Sequence, residues 1–311
     1  MNSINERHIL VTGMQRSGTT FTSSILSTSP ELVYIPEPFN PNYGLKGVDS
    51  HYSYLDIRNE REKTVQLLND LFSYKAKYKK NYTRDNLLKI IGKFFLGPRA
   101  QIRYRMSGFF RRGDARFLIK DPDAAFLSED MYLKHNCQIL IMVRHPCAVL
   151  ASYKRLGWQF DFETLLRKEY LMENHLSEFE AFYKKENKTL AEQVGMLWVS
   201  VYNVLRIYSE QHENWLTILH EDLCNEPEET FKDIFKWAGI SITDSIKQMI
   251  VRKTSSGNPV TARGNILHDF SRDSANLATY WKEVISTKER KVVKQITDPI
   301  SSLFYDEESW N

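Results

Sequence analysis

Between Gly13 and Thr20 the chain reads G-M-Q-R-S-G-T-T, a loop able to hold an oxyanion. Its two glycines let the backbone wrap so that several N–H groups converge on one charge at the positive end of the helix that follows. The spacing is that of G-x-x-x-x-G-K-[ST], with Thr19 where the lysine of a nucleotide-triphosphate loop stands. That lysine serves the β and γ phosphates, and the Ser/Thr beside it serves magnesium. Here the cation is Arg16, inside the loop, with a planar fork that matches a phosphate or a sulfate. No metal is implied. Taken alone, the same eight residues also suit an ordinary strand-to-helix turn.

Three further places carry residues able to do chemistry. Arg144 follows the unbroken apolar run Gln138–Val143, and Ser152 stands early in the helix after it, which makes a second anion site, separate from the first. Pro36 and Pro38 hold Glu37 in an extended turn just past a strand end. Lys120 opens the run Lys120-Asp121-Pro122 at the end of another strand. In open α/β sheets that edge is where ligands bind. The structural alternatives are a surface carboxylate for Glu37 and an ion pair with Asp121 or Asp123 for Lys120. His8, His135 and His220 bound strands and read as structural residues. Neither H-E-x-x-H nor G-x-S-x-G occurs, so zinc and serine hydrolysis have no support.

The elements that must position these groups alternate as strand and helix. Strands are expected at Ile9–Val11, Leu32–Ile35, Phe117–Ile119, Gln138–Val143 and Trp215–Leu219. Helices are expected from Gly18 with Phe21 and Ile25 on one face, over Asp161–Lys184, Leu190–Gln211 and Glu228–Ala238, and from about Lys288. This pattern predicts an α/β, P-loop-type three-layer fold with a central parallel sheet of about five strands. Residues 1–311 are expected to form one domain, with a basic helical insertion over about 41–115. Leu67, Leu68, Leu71 and Phe72, and later Leu87, Ile90, Ile91, Phe94 and Phe95, recur there at helical spacing.

A content of 42% hydrophobic and 13% aromatic residues excludes global disorder. Seven residues precede the first strand, no apolar run reaches membrane-spanning length, and Cys137, Cys147 and Cys224 have no metal or redox spacing. The expectation is a cytoplasmic protein. Net charge is +3, yet residues 75–116 hold six lysines and seven arginines against Asp85 and Asp114, a local +11 that leaves −8 for the rest. Such asymmetry points to an acidic partner, an anionic membrane surface or a polyanion.

GMQRSGTTF resembles the 5′-phosphosulfate loop, and VRHPCAVLASY the 3′-phosphate motif, of sulfotransferases that use 3′-phosphoadenosine 5′-phosphosulfate. The likeness is nearest to the carbohydrate branch and its bacterial relatives, and extends to IPEPFN, LIKDP, HEDLCNEPEETF and FSRDSANLATYWKEVIS. The resemblance implies that Arg16, Ser17, Gly18, Thr19 and Thr20 hold the 5′-phosphosulfate and that Arg144 and Ser152 hold the 3′-phosphate. It adds Arg263, Arg272 and Ser274 as weaker candidates in the tail. His145 replaces the acidic or amide residue usual after the motif arginine and leaves the local charge open. The implied reaction is in-line, metal-free sulfuryl transfer to a hydroxyl or amine, leaving 3′,5′-ADP. Arg16 and Lys120 would face the leaving oxygen, and Glu37 would act as base. The implied acceptor is a glycan or a small-molecule alcohol, with the enzyme cytoplasmic or peripheral at a membrane and with no nucleic-acid partner. Two other readings stay open: a magnesium-dependent nucleotide or sugar kinase, disfavoured by Thr19, and a non-catalytic module that binds a polyanion or membrane through residues 75–116.

Overall fold

The computed structural model describes residues 7–55, 61–80, 101–102, 104–106, 116–254 and 278–311. Five parallel strands, β1 (His8–Thr12), β2 (Leu32–Pro36), β3 (Arg116–Lys120), β4 (Cys137–Val143) and β5 (Leu216–Leu219), pair in the order β2-β3-β1-β4-β5. The central strands β3, β1 and β4 are buried almost end to end and apolar in their middles because both faces are covered. Side chains alternate across the sheet. Leu10, Phe117, Ile119, Ile139, Ile141 and Val143 enter one core, and Ile9, Val11, Leu118, Leu140 and Met142 enter the other.

On the second face lies α1 (Thr19–Leu26), together with the helices Pro227–Trp237 and Asp244–Thr254. The insertion contributes α2 (Arg61–Phe72), which buries Leu68 and Leu71; Phe72 stacks on His135 with ring centroids 4.5 Å apart. Leu87, Ile90, Ile91, Phe94 and Phe95 lie outside the described residues. Two cations of the basic stretch serve the fold. Lys79 Nζ donates to the Pro41 carbonyl at 2.7 Å, and buried Arg116 donates to the carbonyls of Arg7 and Ala238 at 2.9 and 2.8 Å. Burial lowers the Arg116 pKa. The outward charge of this stretch is therefore smaller than the residue count suggests.

After α3 (Ser128–Lys134) and β4, α4 (Pro146–Leu156) returns along the first face. The single helix expected over Asp161–Lys184 is instead a series of short turns, Glu163–Leu166, Glu169–Leu171, Met172–Leu176, Ser177–Phe179 and Glu180–Lys184. Leu165, Met172, Leu176 and Tyr183 do share one helical face, with only Leu171 off it, so the stripe reads as one helix and hides the breaks. Lys168 breaks the run with φ −96° and ψ 78°. By contrast α5 (Leu190–Gln211) buries Val194, Leu197, Trp198, Val201, Leu205 and Tyr208 as one stripe. It starts with a reciprocal Thr189–Glu192 cap, which satisfies backbone N–H groups that would otherwise be orphaned.

Further helices are α6 (His220–Asn225), α7 (Pro227–Trp237), α8 (Asp244–Thr254) and α9 (Thr287–Ser301), the last capped in the same way by Ser286 and Glu289. α5 and α9 pack on the first face, and α7 and α8 on the second. No helix among the described residues is long and apolar enough to cross a membrane. Because all strands run the same way, the segments after Thr12, Pro36, Lys120, Val143 and Leu219 leave from one edge of the sheet.

Candidate active site

Four of those five segments carry residues singled out from the sequence, and the fifth supplies a neighbour that was not. In the loop after β1, Gly13 has φ +138°, and a Cβ there would lie 2.3 Å from the Met142 carbonyl oxygen. Gly18, at φ +102°, would bring a Cβ to 2.7 Å from the His220 ring after β5. Arg16 itself has φ +76°. A non-glycine residue pays about 1–2 kcal/mol for that conformation, and such strain concentrates at functional sites.

Tyr202, from α5, clamps the loop to β4: its hydroxyl accepts the Met14 N–H at 3.3 Å and donates to the Met142 carbonyl at 2.7 Å. The N-terminus of α1 has no side-chain cap. No acceptor among the described residues takes the amides of Gly18, Thr19 or Thr20. Among the described residues the Ser17 hydroxyl, which is buried, has no hydrogen-bond partner. Buried donors are rarely left in this condition. An oxyanion seated on the loop satisfies them, and the residues present fit one.

The site after β4 abuts this loop. Arg144 Nη1 donates to the carbonyl of Arg16 at 3.2 Å, and Arg16 Nε donates to the Ser152 hydroxyl of α4 at 2.9 Å. The Arg16 guanidinium also lies 5.9 Å from the ring centre of Trp158. The two anion sites, expected to be separate, therefore share a wall, because β1 and β4 are neighbours in the sheet. Trp198 anchors the Arg144 carbonyl at 2.9 Å, and Arg144 Nε is enclosed with no partner among the described residues. Burial pulls the Arg144 pKa down, opposed first by the charge of Glu221.

Glu221 accepts from the His145 N–H and the Tyr305 hydroxyl, both at 3.0 Å. Burial raises its pKa against those bonds and against the charge of Arg144. From the sequence, Glu221 reads only as an acidic start to a helix, and its role behind Arg144 has no local signal. His145 stacks on Trp281 at 4.5 Å and is boxed in by Tyr305 and Trp310. Its Nδ1 accepts the Cys147 N–H at 3.3 Å and so caps α4, the task an acidic or amide residue would perform. Burial, then the charges of Lys282 and Arg144, lowers its pKa to about 3. The local charge left open by the sequence is thus settled: His145 is neutral.

After β2 and β3, Lys120 pairs with Glu37 and not with Asp121 or Asp123. Lys120 is 3% exposed and Glu37 14%, so Glu37 is no surface carboxylate. The Glu37 N–H donates to the Lys120 carbonyl at 2.7 Å, and Asn40 Nδ2 donates to the second Glu37 oxygen at 3.0 Å. Glu37 also has a left-handed φ, +43°. Asp121 is wholly buried and holds the Asp123 amide at 2.9 Å; burial raises its pKa, helped by the charges of Asp123 and Glu37. Asp123 in turn accepts from Gln15 Nε2 at 2.9 Å and meets His51 Nδ1 at 3.0 Å, while the Tyr52 hydroxyl donates to Gln15. His51 and Tyr52 lie in the first part of the insertion, where no periodicity marks either residue.

His8 is structural, as expected: its Nδ1 accepts the Phe117 N–H at 3.0 Å, and burial lowers its pKa to about 4. Arg263, Arg272 and Ser274 lie outside the described residues.

A family model described as "Sulfotransferase family" matches residues 8–244. No curated protein matches the chain. Among solved structures, the sulfotransferase domain of the Synechococcus PCC 7002 olefin synthase aligns at 15% identity over 98% of both chains, with a TM-score of 0.48. Sulfotransferase STF9 from Mycobacterium avium aligns at 13% identity over 97% of this chain and 78% of its own, with a TM-score of 0.46. Mouse sulfotransferase SULT7A1, complexed with PAP, aligns at 13% identity over 99% and 90%, with a TM-score of 0.41. These overlaps are too low to transfer chemistry.

Proposed function

The chain belongs to the sulfotransferase family, and from that premise we propose that it transfers the sulfuryl group of 3′-phosphoadenosine 5′-phosphosulfate to a hydroxyl, or an amine, of a carbohydrate or other polar acceptor. The observation that carries the reading is the contact between the two cationic sites, Arg144 to the Arg16 carbonyl and Arg16 to Ser152. A single nucleotide with anionic groups at both ends engages both. Residues 1–311 act as one catalytic domain in this reading.

The donor supplies an activated sulfuryl group: its S–O bond to the 5′-phosphate breaks as a bond forms to the acceptor oxygen, leaving 3′,5′-ADP. The amides of Gly18, Thr19 and Thr20, with the Ser17 and Thr20 hydroxyls and Arg16, bind the 5′ end. Arg144 and Ser152 bind the 3′-phosphate, and Arg263 and Arg272 contribute from the tail. Negative charge grows on the leaving oxygen, so preorganised donors aimed there are the main catalytic resource.

Glu37 takes the acceptor proton. As it does, Lys120 loses its counter-charge just when charge builds on the leaving oxygen, and its ammonium becomes available there. Thr19 in place of a lysine argues against a triphosphate-dependent kinase. The test is incubation with sulfur-35-labelled donor and a panel of alcohols, amines and oligosaccharides without magnesium. Labelled product with equimolar 3′,5′-ADP is expected. Neither transfer nor donor turnover with any acceptor overturns the proposal.

A further inference from the structure

A cleft of about 560 Å³ opens among residues 41–54, α2 and the turns after α4, with Asp49, Ser50, His51, Tyr54, Arg167 and Lys168 on its walls. It connects to the anion loop through two hydrogen bonds. His51 Nδ1 meets Asp123 at 3.0 Å, and Asp123 accepts from Gln15, the residue before Arg16, at 2.9 Å. The charges of this cleft are unevenly satisfied. Asp49 is paired with Lys63 at 2.8 Å and Lys79 at 3.7 Å, and Asp161 accepts the Glu163 amide at 3.0 Å. Arg167 is exposed, and its guanidinium has no hydrogen bond or ion pair among the described residues. Lys168 beside it is only 9% exposed, and is held by Ser50 at 3.2 Å and by the Thr164 carbonyl. A buried ammonium next to an unengaged guanidinium makes a wall that attracts anions. Burial works to lower the His51 pKa, but the bond to Asp123 and its charge outweigh that and raise it.

We propose that this cleft holds the sulfuryl acceptor, and that the acceptor is a hydroxylated molecule carrying a carboxylate or other anionic group that Arg167 and Lys168 receive. The assignment rests on the sulfotransferase reading. The hydroxyl to be modified then lies on the side of the cleft nearest the anion loop, with Ser50, Ser53 and Asp161 able to bond the other hydroxyls.

A matched pair of probes tests it. 4-Nitrophenyl β-D-glucuronide and 4-nitrophenyl β-D-glucoside differ by one carboxylate, and their dissociation constants are read by ligand-observed NMR on protein with and without 3′,5′-ADP. The glucuronide is expected to bind about tenfold tighter, the usual worth of one charge-assisted hydrogen bond. The preference should vanish in Arg167→Ala and persist in part in Arg167→Lys, with 3′,5′-ADP affinity unchanged in both. Equal binding of the two probes, no binding of the glucuronide, or a preference that survives Arg167→Ala overturns the proposal. Failure of the sulfotransferase reading shows separately, as no 3′,5′-ADP binding by the unaltered protein.

Discussion

Replacing Arg16 by glycine and by alanine separates what this residue costs the fold from what it gives the site. Both changes remove the bond to Ser152 and the contact with Trp158. A hydrogen bond from a charged group contributes about 1.5–3 kcal/mol and an exposed cation–π contact about 0.5–1. The backbone sits at φ +76° in either case. Alanine keeps the left-handed penalty of about 1–2 kcal/mol, whereas glycine sheds it and gives back about 0.5–1 through the greater freedom of its unfolded chain. Arg16→Gly should therefore be more stable than Arg16→Ala by about 1 kcal/mol, and less stable than the unaltered protein by about 2. Both should bind 3′,5′-ADP about 10- to 100-fold more weakly, the range for a hydrogen bond to a charged group. Urea denaturation gives the first quantity and calorimetric titration the second. An alanine variant as stable as the glycine variant would refute the strained-loop account. Unchanged nucleotide affinity would remove Arg16 from the binding site.

Glu37→Gln keeps an oxygen for Lys120 to donate to, so the fold should survive and 3′,5′-ADP binding should stay within about twofold, while turnover falls by about 10² or more; near-normal turnover in a steady-state assay would mean another base. Tyr202→Phe strands the buried Met14 amide and Met142 carbonyl. A loss of about 1–3 kcal/mol in denaturant is expected, and no loss would show that the clamp contributes nothing. His8 and His145 are held neutral, with pKa values lowered to about 4 and about 3 from 6.5. Their contribution to stability is complete above pH 6.5 and is lost as pH falls toward those values, at up to about 1.4 kcal/mol per pH unit for each proton taken up on unfolding. His145→Asn retains a cap for α4 without a titrating group. The slope of stability against pH between 6 and 4 should drop by about one proton, and an unchanged slope would contradict the assignment.

Much of the sheet could be read in advance because its strands are short, uninterrupted apolar runs flanked by helical stripes. Gln138–Val143 and the α5 stripe are the clearest cases. The breaks within Asp161–Lys184 could not, since Leu165, Met172, Leu176 and Tyr183 keep a helical period across them and nothing in the sequence marks the break at Lys168. The anion loop was legible because glycine spacing and an arginine in one short stretch state the chemistry locally. That both cationic sites open on one sheet edge was legible too, but their direct contact was not, because it depends on β1 lying beside β4, a fact of topology. The same limit hid the pairing of Lys120 with Glu37 across neighbouring strands and the cage of Trp281, Tyr305 and Trp310 around His145. Asp121 and Asp123 are nearer to Lys120 in sequence, yet Asp121 is spent on backbone amides and Asp123 on Gln15 and His51.

The most direct measurement is calorimetric titration of 3′,5′-ADP into metal-free protein, beside the Arg144→Ala variant. One nucleotide per chain should bind without magnesium, about 10- to 100-fold more weakly once Arg144 is removed. No binding without metal, preferential binding of magnesium-ATP, or an affinity indifferent to Arg144 would contradict the account.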